Sequence, residues 1–205
     1  MLSIQTIQPD TLELLKKLAA FPELRNTRLV GGTALALLYG HRQSIDLDFF
    51  GQLPQDKDEL VAIANQVGKV VIQNRSNFIV QMSIDDVKVD FVDYSRYPWI
   101  DEPVVCDGFV LASDKDIAAL KVNAIMGRGT RKDFVDLYML LQHFSLKEIM
   151  HFYEQKYPEH SEYRALLSMT YFEDAEMQEM PKMFMDTPWD VMKKAILREV
   201  DTYQQ

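Results

Sequence analysis

Two aspartates inside an apolar stretch are the residues of this sequence best suited to chemistry. They are Asp46 and Asp48, in the run HRQSIDLDFF at residues 41–50. If the run is a strand, the two carboxylates share one face, roughly 6.5–7 Å apart. Such carboxylates repel each other unless a cation lies between them, and Mg²⁺ is typically held by one or two carboxylates together with substrate phosphates. On its own, the pattern is more typical of a solvated strand face on which the aspartates pair with Arg42.

A strand over residues 42–48 would also fix the positions of the neighbouring side chains. Arg42 and Ser44 would lie on the face of the aspartates. The opposite face would carry three apolar side chains that we expect in the core: Ile45, Leu47 and Phe49.

A pair of glycines precedes the aspartates, in the run LVGG at residues 29–32, which is typical of a short strand that ends in a turn. Glycines allow a ligand to approach the backbone closely, and the N–H groups that begin the next helix can bind an anion. Thr33 adds a hydroxyl group. Gly31, Gly32 and Thr33 therefore predict a phosphate cradle ahead of the carboxylate pair.

The combination of V-G-G, a spacer and D-L-D-F resembles the nucleotidyltransferase superfamily that includes DNA polymerase beta. More narrowly, GGTALALLYGHRQSIDLDFF resembles the AbiEii/AbiGii nucleotidyltransferase toxins of abortive-infection and type IV toxin–antitoxin systems. The family's glycine turn matches Gly31 and Gly32, and its two metal aspartates match Asp46 and Asp48. Its Arg and Ser/Thr positions match residues 42 and 44. The resemblance implies two Mg²⁺ ions, with Mn²⁺ as a substitute, and an NTP substrate. Arg42 would help to neutralise the charge of its triphosphate, and Ser44 would fix a phosphate oxygen or orient Asp46.

The superfamily carries a third carboxylate on a neighbouring strand, and VKVDFVDY at residues 87–94 supplies a candidate. Asp90 lies within an apolar alternation and shares its face with Lys88. The resemblance makes Asp90 a third metal ligand that helps to activate the attacking hydroxyl. The alternative is a surface aspartate paired with Lys88. Asp93 has the opposite parity and is the second choice.

The run KVNAIMGRGTRKDFVDLYML resembles the family's downstream motif and selects five residues: Lys121, Arg128, Lys132, Asp133 and Asp136. By this resemblance Lys121 meets the phosphates of the nucleotide and Asp136 belongs to the active site. Arg128 and Arg131 flank a glycine-containing turn from which guanidinium groups can reach a phosphate. The alternative makes both aspartates ordinary acids near a helix start, with Lys132 and Asp136 as an i, i+4 pair.

The elements that must position these residues change character along the chain. Up to about residue 111 helices alternate with strand-like runs, among them KVVIQNR, NFIVQMSI and VKVDFVDY, with a hairpin turn at Asp85-Asp86. This pattern predicts an α/β fold, a nucleotidyltransferase-type mixed sheet flanked by helices. Residues 112–205 read as helices only. We therefore expect a catalytic core over residues 1–111 and a helical C-terminal domain over residues 112–205.

Capping residues mark several of the expected helix starts. Asp10, Ser113, Ser145 and Thr187 each precede a helical pattern, with Glu148 completing a capping box for Ser145 and Pro188 as the first helical residue after Thr187. Gly40 and Gly68 are expected to end the helices that precede them.

Composition restricts the class of protein. The net charge is −9 and there is a single cysteine, which excludes an internal disulfide framework. No secretory signal or membrane-spanning run is apparent, so a cytoplasmic protein is expected. The acidity argues against broad nucleic-acid affinity, but it leaves room for a local basic groove.

These observations predict a metal-dependent transfer of an NMP from an NTP to an acceptor hydroxyl. The resemblance to the toxins implies an RNA acceptor, such as a tRNA end, and a cognate antitoxin or its DNA-binding partner. Two alternatives remain open. The acceptor could be a protein or a cationic, aminoglycoside-like small molecule, or the chain could be a regulatory module that binds nucleotide without turnover.

Overall fold

Seven strands form one mixed sheet in this computed structural model, which describes residues 1–205. The strands are β1 (Thr27–Val30), β2 (Leu47–Gly51), β3 (Val70–Arg75), β4 (Ile79–Ile84), β5 (Val87–Asp93), β6 (Val104–Cys106) and β7 (Phe109–Leu111). Their order across the sheet is β3-β4-β5-β2-β1-β7-β6. The pairs β2–β5 and β1–β7 are parallel and the other pairs are antiparallel. The α/β fold class and the mixed sheet are thus confirmed.

Helices precede, interrupt and follow the strands. They are α1 (Pro9–Ala19), α2 (Gly31–Tyr39), α3 (Lys57–Val67), α4 (Asp114–Gly127), α5 (Arg131–Leu140), α6 (Leu146–Lys156), α7 (Glu162–Met169), the single turn α8 (Glu173–Glu176) and α9 (Trp189–Tyr203). The chain divides into two compact units. The sheet unit comprises residues 1–97 and 102–112, and the helical unit comprises residues 98–101 and 113–205.

The two central strands of the sheet unit bury one apolar face. Leu47 and Phe49 of β2 and Val89 and Phe91 of β5 are buried, and the rings of Phe49 and Phe91 stack with centroids 5.4 Å apart. Because side chains alternate along a strand, the residues between these positions point to the opposite face. That opposite face carries the acidic residues.

The strand predicted over residues 42–48 is wrong in its first part, because β2 begins only at Leu47. The backbone N–H of Ser44 donates to the carbonyl of Thr6, and Ser44 forms a bridge with Ile7. These bonds hold the segment before Leu47 against the N-terminal residues instead of the sheet. Ile45 is consequently exposed and does not join the core.

The β4–β5 hairpin has the predicted two-residue turn. Asp85 and Asp86 both have positive φ angles, of 47° and 65°, as a tight hairpin turn requires. Counting outward from this turn places Gln81 opposite Asp90 and Ser83 opposite Lys88. The turn therefore fixes which residues flank the third carboxylate.

A buried ion pair organises the helical unit. The ammonium of Lys156 on α6 lies 2.7 Å from Asp116 on α4, and neither side chain is exposed. Lys156 also donates to the carbonyl of Pro98, and the Asp116 carboxylate accepts from the backbone N–H of Ile100. The pair thereby fastens the segment 98–101 to the two helices.

None of the helices combines the length and apolar character needed to cross a membrane.

Most of the predicted helix ends are confirmed. Ser113 accepts from the backbone N–H of Asp116, Ser145 and Glu148 form a capping box, and Gly40 ends α2 with a φ angle of 72°. Gly68 ends α3.

Two predicted caps are wrong because a proline shifts the helix start. Helix α1 begins at Pro9, so Asp10 lies in the first turn instead of capping it. Pro188 has an extended ψ angle of 147° and precedes α9, so Thr187 lies outside the helix. In both places the fixed φ of proline suits the helix start.

Candidate active site

Strand pairing places two of the predicted carboxylates side by side. Asp48 on β2 is opposite Asp90 on β5 in the parallel ladder, and it is opposite Val30 of β1 on its other side. Neighbouring strands lie about 4.8 Å apart, and directly paired residues point to the same face. Asp48 and Asp90 therefore form an acidic pair on the face of the sheet opposite the apolar core.

Asp46 lies in the loop just before β2, and its backbone is anchored to α2. The hydroxyl of Thr33 donates to the carbonyl of Asp46 and lies 2.8 Å from the hydroxyl oxygen of Ser44. Thr33 and Ser44 are buried. The two hydroxyls thus hold the loop that carries Asp46, which is the second of the two roles expected for Ser44. A phosphate contact would need Thr33 or Ser44 to give up these protein partners.

Gly31 allows the acidic pair to lie against the start of α2. Its φ angle is +69°, which favours glycine, and a Cβ built on it would lie 2.6 Å from Oδ2 of Asp48. The Asp48 carboxylate therefore occupies space that any other residue at position 31 would fill. Gly31 and Gly32 form the first turn of α2, where backbone N–H groups lack helical partners and favour negative charge.

Asp90 is satisfied on only one of its two oxygens. Oδ2 accepts from Nζ of Lys88 and from Nε2 of Gln81, both at 2.9 Å, whereas Oδ1 is buried and has no hydrogen-bond partner. A buried carboxylate oxygen without a partner costs free energy unless a ligand satisfies it. Asp93 has the opposite parity, and its carboxylate instead accepts from the backbone N–H of Ser95.

The pKa of Lys88 is affected by three carboxylates, of which Asp90 is in direct contact with the ammonium. Burial by itself would lower the pKa of Lys88, but the hydrogen bond to Asp90 and the charge of that residue raise it above its ordinary value. The charges of Asp48 and Asp46 act in the same direction. The negative charges of all three carboxylates identified in the sequence therefore act on the Lys88 ammonium.

The donor atoms of this cluster suit a hard divalent cation. Carboxylate oxygens are the ligands that Mg²⁺ and Mn²⁺ prefer, and the unsatisfied Oδ1 of Asp90 is a free acceptor beside Asp48. The chain has no group of three or more His, Cys, Asp or Glu side chains placed to enclose a metal ion. An ion held by two protein carboxylates, with phosphates and water completing its shell, needs no such enclosure.

Arg42 does not have the position expected of a phosphate ligand. Its side chain is buried, with 2% of the residue exposed, and Nη1 donates to the carbonyl of Gln43 at 2.9 Å. A buried guanidinium is directed at protein acceptors instead of an open site. The direct contact between Arg42 and a triphosphate therefore does not fit this arrangement.

The downstream motif forms a second cluster, within the helical unit. Lys121 of α4 lies 2.9 Å from Asp133 and 2.6 Å from Asp136, both on α5. Only 3% of Lys121 is exposed, and both aspartates are fully buried. The ammonium is thus surrounded by protein carboxylates, so the predicted direct contact of Lys121 with phosphates does not fit, and Asp136 serves as its partner.

Asp133 is the most constrained member of this second cluster. It accepts from Lys121, from Nε of Arg128 at 3.0 Å and from the hydroxyl of Thr130 at 2.5 Å. Burial alone would raise the pKa of Asp133, but the Lys121 ammonium and the Arg128 guanidinium outweigh it and hold the pKa well below the ordinary value of 3.8. Asp133 is therefore a charged anchor and not merely an acid near a helix start.

The two arginines of the glycine-containing turn differ in exposure. The side chain of Arg128 is 55% exposed even though Asp133 anchors it, and Gly129 follows with a φ angle of 49°. Arg131 is instead directed at the backbone carbonyls of Ala175 and Glu176. Of this pair, Arg128 is the cation that presents itself to solvent.

Two polar residues near the acidic pair had no predicted role in binding or catalysis: Gln81 and, beyond its ion pair, Lys88. The signal for Gln81 was present in the sequence, because the register set by the Asp85-Asp86 turn places it opposite Asp90. The influence of Lys88 on Asp48 and Asp46 was not predictable, since it depends on the parallel pairing of β2 with β5.

Comparison with known proteins adds independent observations. The model of the family described as nucleotidyl transferase AbiEii toxin, type IV toxin–antitoxin system, matches residues 13–205. An uncharacterized protein of Aquifex aeolicus is 31% identical over 209 residues, which cover 98% of each chain.

Two solved structures have a similar fold. MenT4, a nucleotidyltransferase toxin from Mycobacterium tuberculosis, superposes with a TM-score of 0.58 at 12% identity, covering 94% of this chain and 81% of MenT4. JHP933 from Helicobacter pylori superposes with a TM-score of 0.53 at 19% identity, covering 95% and 92% of the two chains. At these identities the likeness shows the fold alone.

Proposed function

The chain belongs to the AbiEii nucleotidyl transferase toxin family of type IV toxin–antitoxin systems, and from this premise we propose that it is a metal-dependent enzyme that transfers an NMP from an NTP to a hydroxyl of an RNA, such as a tRNA end. The acceptor oxygen forms a bond to the α-phosphorus, the bond from that phosphorus to pyrophosphate breaks, and the acceptor loses its proton. The observation that carries the proposal is the pairing of Asp48 with Asp90 beside the glycine turn that begins α2.

Each residue of the acidic cluster has a role in this proposal. Asp48 and Asp90 would hold the divalent ions, with Asp46 as a further ligand from the loop before β2. A bound Mg²⁺ supplies Lewis-acid polarisation of the phosphates and neutralises their charge. Through its carboxylate, Asp90 would also help to take up the proton of the attacking hydroxyl.

The glycine turn would receive the triphosphate. Gly31 and Gly32 present the first-turn N–H groups of α2, which favour an anion. Thr33 and Ser44 have an indirect role, because their hydroxyls hold the loop that carries Asp46 in place. Catalysis in this scheme comes from positioning and from electrostatic stabilisation of an in-line displacement.

Within the helical unit, the buried cluster would hold Arg128 in a fixed and exposed position. The buried ion pairs of Lys121 with Asp133 and Asp136 fix the helices that flank the turn, and Asp133 holds the Arg128 guanidinium. We assign Lys121 and Asp136 a positioning role within the helical unit, whose exposed cation is Arg128.

A second acceptor class is supported by charge. The net charge of −9 suits a cationic small molecule, such as an aminoglycoside, better than a polyanionic RNA. In favour of RNA, the exposed Arg128 offers a local cation of the kind that RNA recognition needs.

The acceptor can be identified with labelled nucleotides. Purified protein, Mg²⁺ and each α-labelled NTP are incubated with total RNA, total protein and small-molecule fractions of a cell extract. We expect label in an RNA component; label only in small molecules would instead support the second acceptor class, and label in none of the three fractions would contradict the transferase proposal.

Matched variants test whether the acidic pair performs the transfer. Asp48→Asn removes a proposed metal ligand and should reduce transfer by at least about a thousandfold, an effect comparable to the loss of a main electrostatic contributor. Asp93→Asn, on β5 but with the opposite parity, should transfer at the wild-type rate. Thermal unfolding of both variants checks that they are folded, and full activity of Asp48→Asn would contradict the assignment.

A further inference from the structure

Lys88 occupies the position where a cation is needed when no metal is bound. Its Nζ lies 2.9 Å from Oδ2 of Asp90, and the charges of Asp48 and Asp46 also act on it. Three carboxylates in one region repel one another, and a nearby positive charge removes part of that repulsion. Lys88 therefore offsets part of the negative charge of the metal-free cluster.

The ion pair is built so that it can be exchanged. The Asp90 side chain is only 12% exposed, whereas that of Lys88 is 40% exposed. A lysine has a flexible four-carbon stem, so its ammonium can leave the carboxylate for water without moving the strand. Gln81 donates to the same Asp90 oxygen as Lys88, so that oxygen keeps a hydrogen bond after the ammonium leaves.

We propose that Lys88 is an internal counter-ion that competes with the divalent metal for the cluster of Asp46, Asp48 and Asp90. The inference rests on the proposed metal site. In the free protein the ammonium stabilises the crowded carboxylates. When a divalent ion binds, Lys88 releases Asp90 and turns to solvent, so that the chain weakens its own metal affinity in exchange for a stable free state.

The proposal is tested with Mn²⁺ alone, whose free concentration is measured by electron paramagnetic resonance. Lys88→Met keeps the stem and removes the charge, and it should bind Mn²⁺ at least about tenfold more tightly than wild type because a repulsive charge is gone. Lys88→Arg keeps the charge and should bind Mn²⁺ with nearly wild-type affinity. Lys115→Met is the matched control, because Lys115 is also 40% exposed and paired with an aspartate, Asp101.

Thermal unfolding separates this role from a merely structural one. Without metal, Lys88→Met should unfold at a lower temperature than wild type, and saturating Mn²⁺ should remove most of that difference. A structural role alone would lower the unfolding temperature equally with and without Mn²⁺, and that result would overturn the proposal.

A measurement on the wild-type protein keeps the test valid if Lys88→Met fails to fold. Mild acetylation followed by mass spectrometry should show Lys88 reacting faster when Mn²⁺ is bound, with Lys115 unchanged. Equal reaction of Lys88 in both states would overturn the inference.

The outcomes also separate the inference from the proposed function. Failure of wild type to bind Mn²⁺, with Asp48→Asn behaving identically, would remove the metal site itself and the counter-ion with it. Normal binding by wild type with unchanged affinity in Lys88→Met would overturn only the role of Lys88.

Discussion

At the scale of single residues, Gly31 and Asp48 depend on each other. The carboxylate lies where a Cβ at position 31 would be, so the glycine provides both the positive φ angle of the turn and the space for the acidic group. The sequence predicted a close approach of the backbone to a ligand at this point. The structure shows that the first group to approach is the chain's own aspartate.

Gly31→Ala should therefore reduce transferase activity strongly and the free energy of unfolding only modestly. The positive φ angle costs about 1–2 kcal/mol for a non-glycine residue, and displacement of the Asp48 carboxylate should reduce activity by about a hundredfold. Steady-state kinetics and urea unfolding measure the two effects.

Gly108→Ala is the matched control for this prediction. Gly108 has a φ angle of +83°, and a Cβ there would meet no atom within 4 Å. It should lose similar stability and keep its activity. Equal activity loss in the two variants, or none in Gly31→Ala, would show that the contact with Asp48 is unimportant.

At the scale of elements, the α4–α5 pair is held by buried charges. Asp133 accepts from Lys121, Arg128 and Thr130, and its pKa lies below the ordinary value. A carboxyl whose pKa is lower in the folded state stabilises the fold above its unfolded pKa and loses that contribution as pH falls. The contribution of Asp133 is therefore present above about pH 4 and declines below it.

Asp133→Asn should lower the free energy of unfolding at pH 7 by about 3 kcal/mol, because it breaks a buried ion pair. The difference from wild type should shrink as the pH falls below about 4. Urea unfolding of the helices, followed by circular dichroism between pH 7 and pH 3, measures both effects.

Asp190→Asn, which removes an exposed partner of Lys193, is the control and should have little effect at any pH. A pH-independent difference between Asp133→Asn and wild type would show that charge does not hold this pair.

The elements that could be predicted from the sequence are those that are long enough to show a pattern and that pair with a strand close by in the sequence. The hairpin of β4 and β5 followed from alternation and from a two-residue turn, which are local features. Strands β6 and β7 have three residues each, too few for an alternation to be visible, and were not predicted.

The candidate site was predictable in its residue types and not in its contacts. The alternation of side chains predicted which face of its strand Asp48 or Asp90 occupies. That the two residues are adjacent follows from the parallel pairing of β2 with β5, which are separated by other elements in the sequence. Likewise the motif selected Lys121, whereas its burial between two aspartates depends on the packing of α4 against α5. Non-local pairing and burial are properties of the folded chain that a local pattern does not contain.

At the scale of the whole molecule, the acidic net charge and the acidic cluster raise the same physical problem. A chain of net charge −9 must accept an NTP, a polyanion, and in the proposed function also an RNA. In the proposed function, divalent ions at Asp48 and Asp90 would supply the missing positive charge where the substrate binds. Membership of a type IV toxin–antitoxin family implies an antitoxin partner that restrains this activity.

The central claim is that Asp48 and Asp90 together hold the divalent ion that accompanies the nucleotide. The most direct measurement is a crystal structure of the protein with Mn²⁺ and a non-hydrolysable NTP, with the ion located by its anomalous scattering. We predict a peak bonded to carboxylate oxygens of both Asp48 and Asp90, with the triphosphate at the start of α2. Mn²⁺ and the nucleotide bound elsewhere, with these two carboxylates unliganded, would contradict the claim.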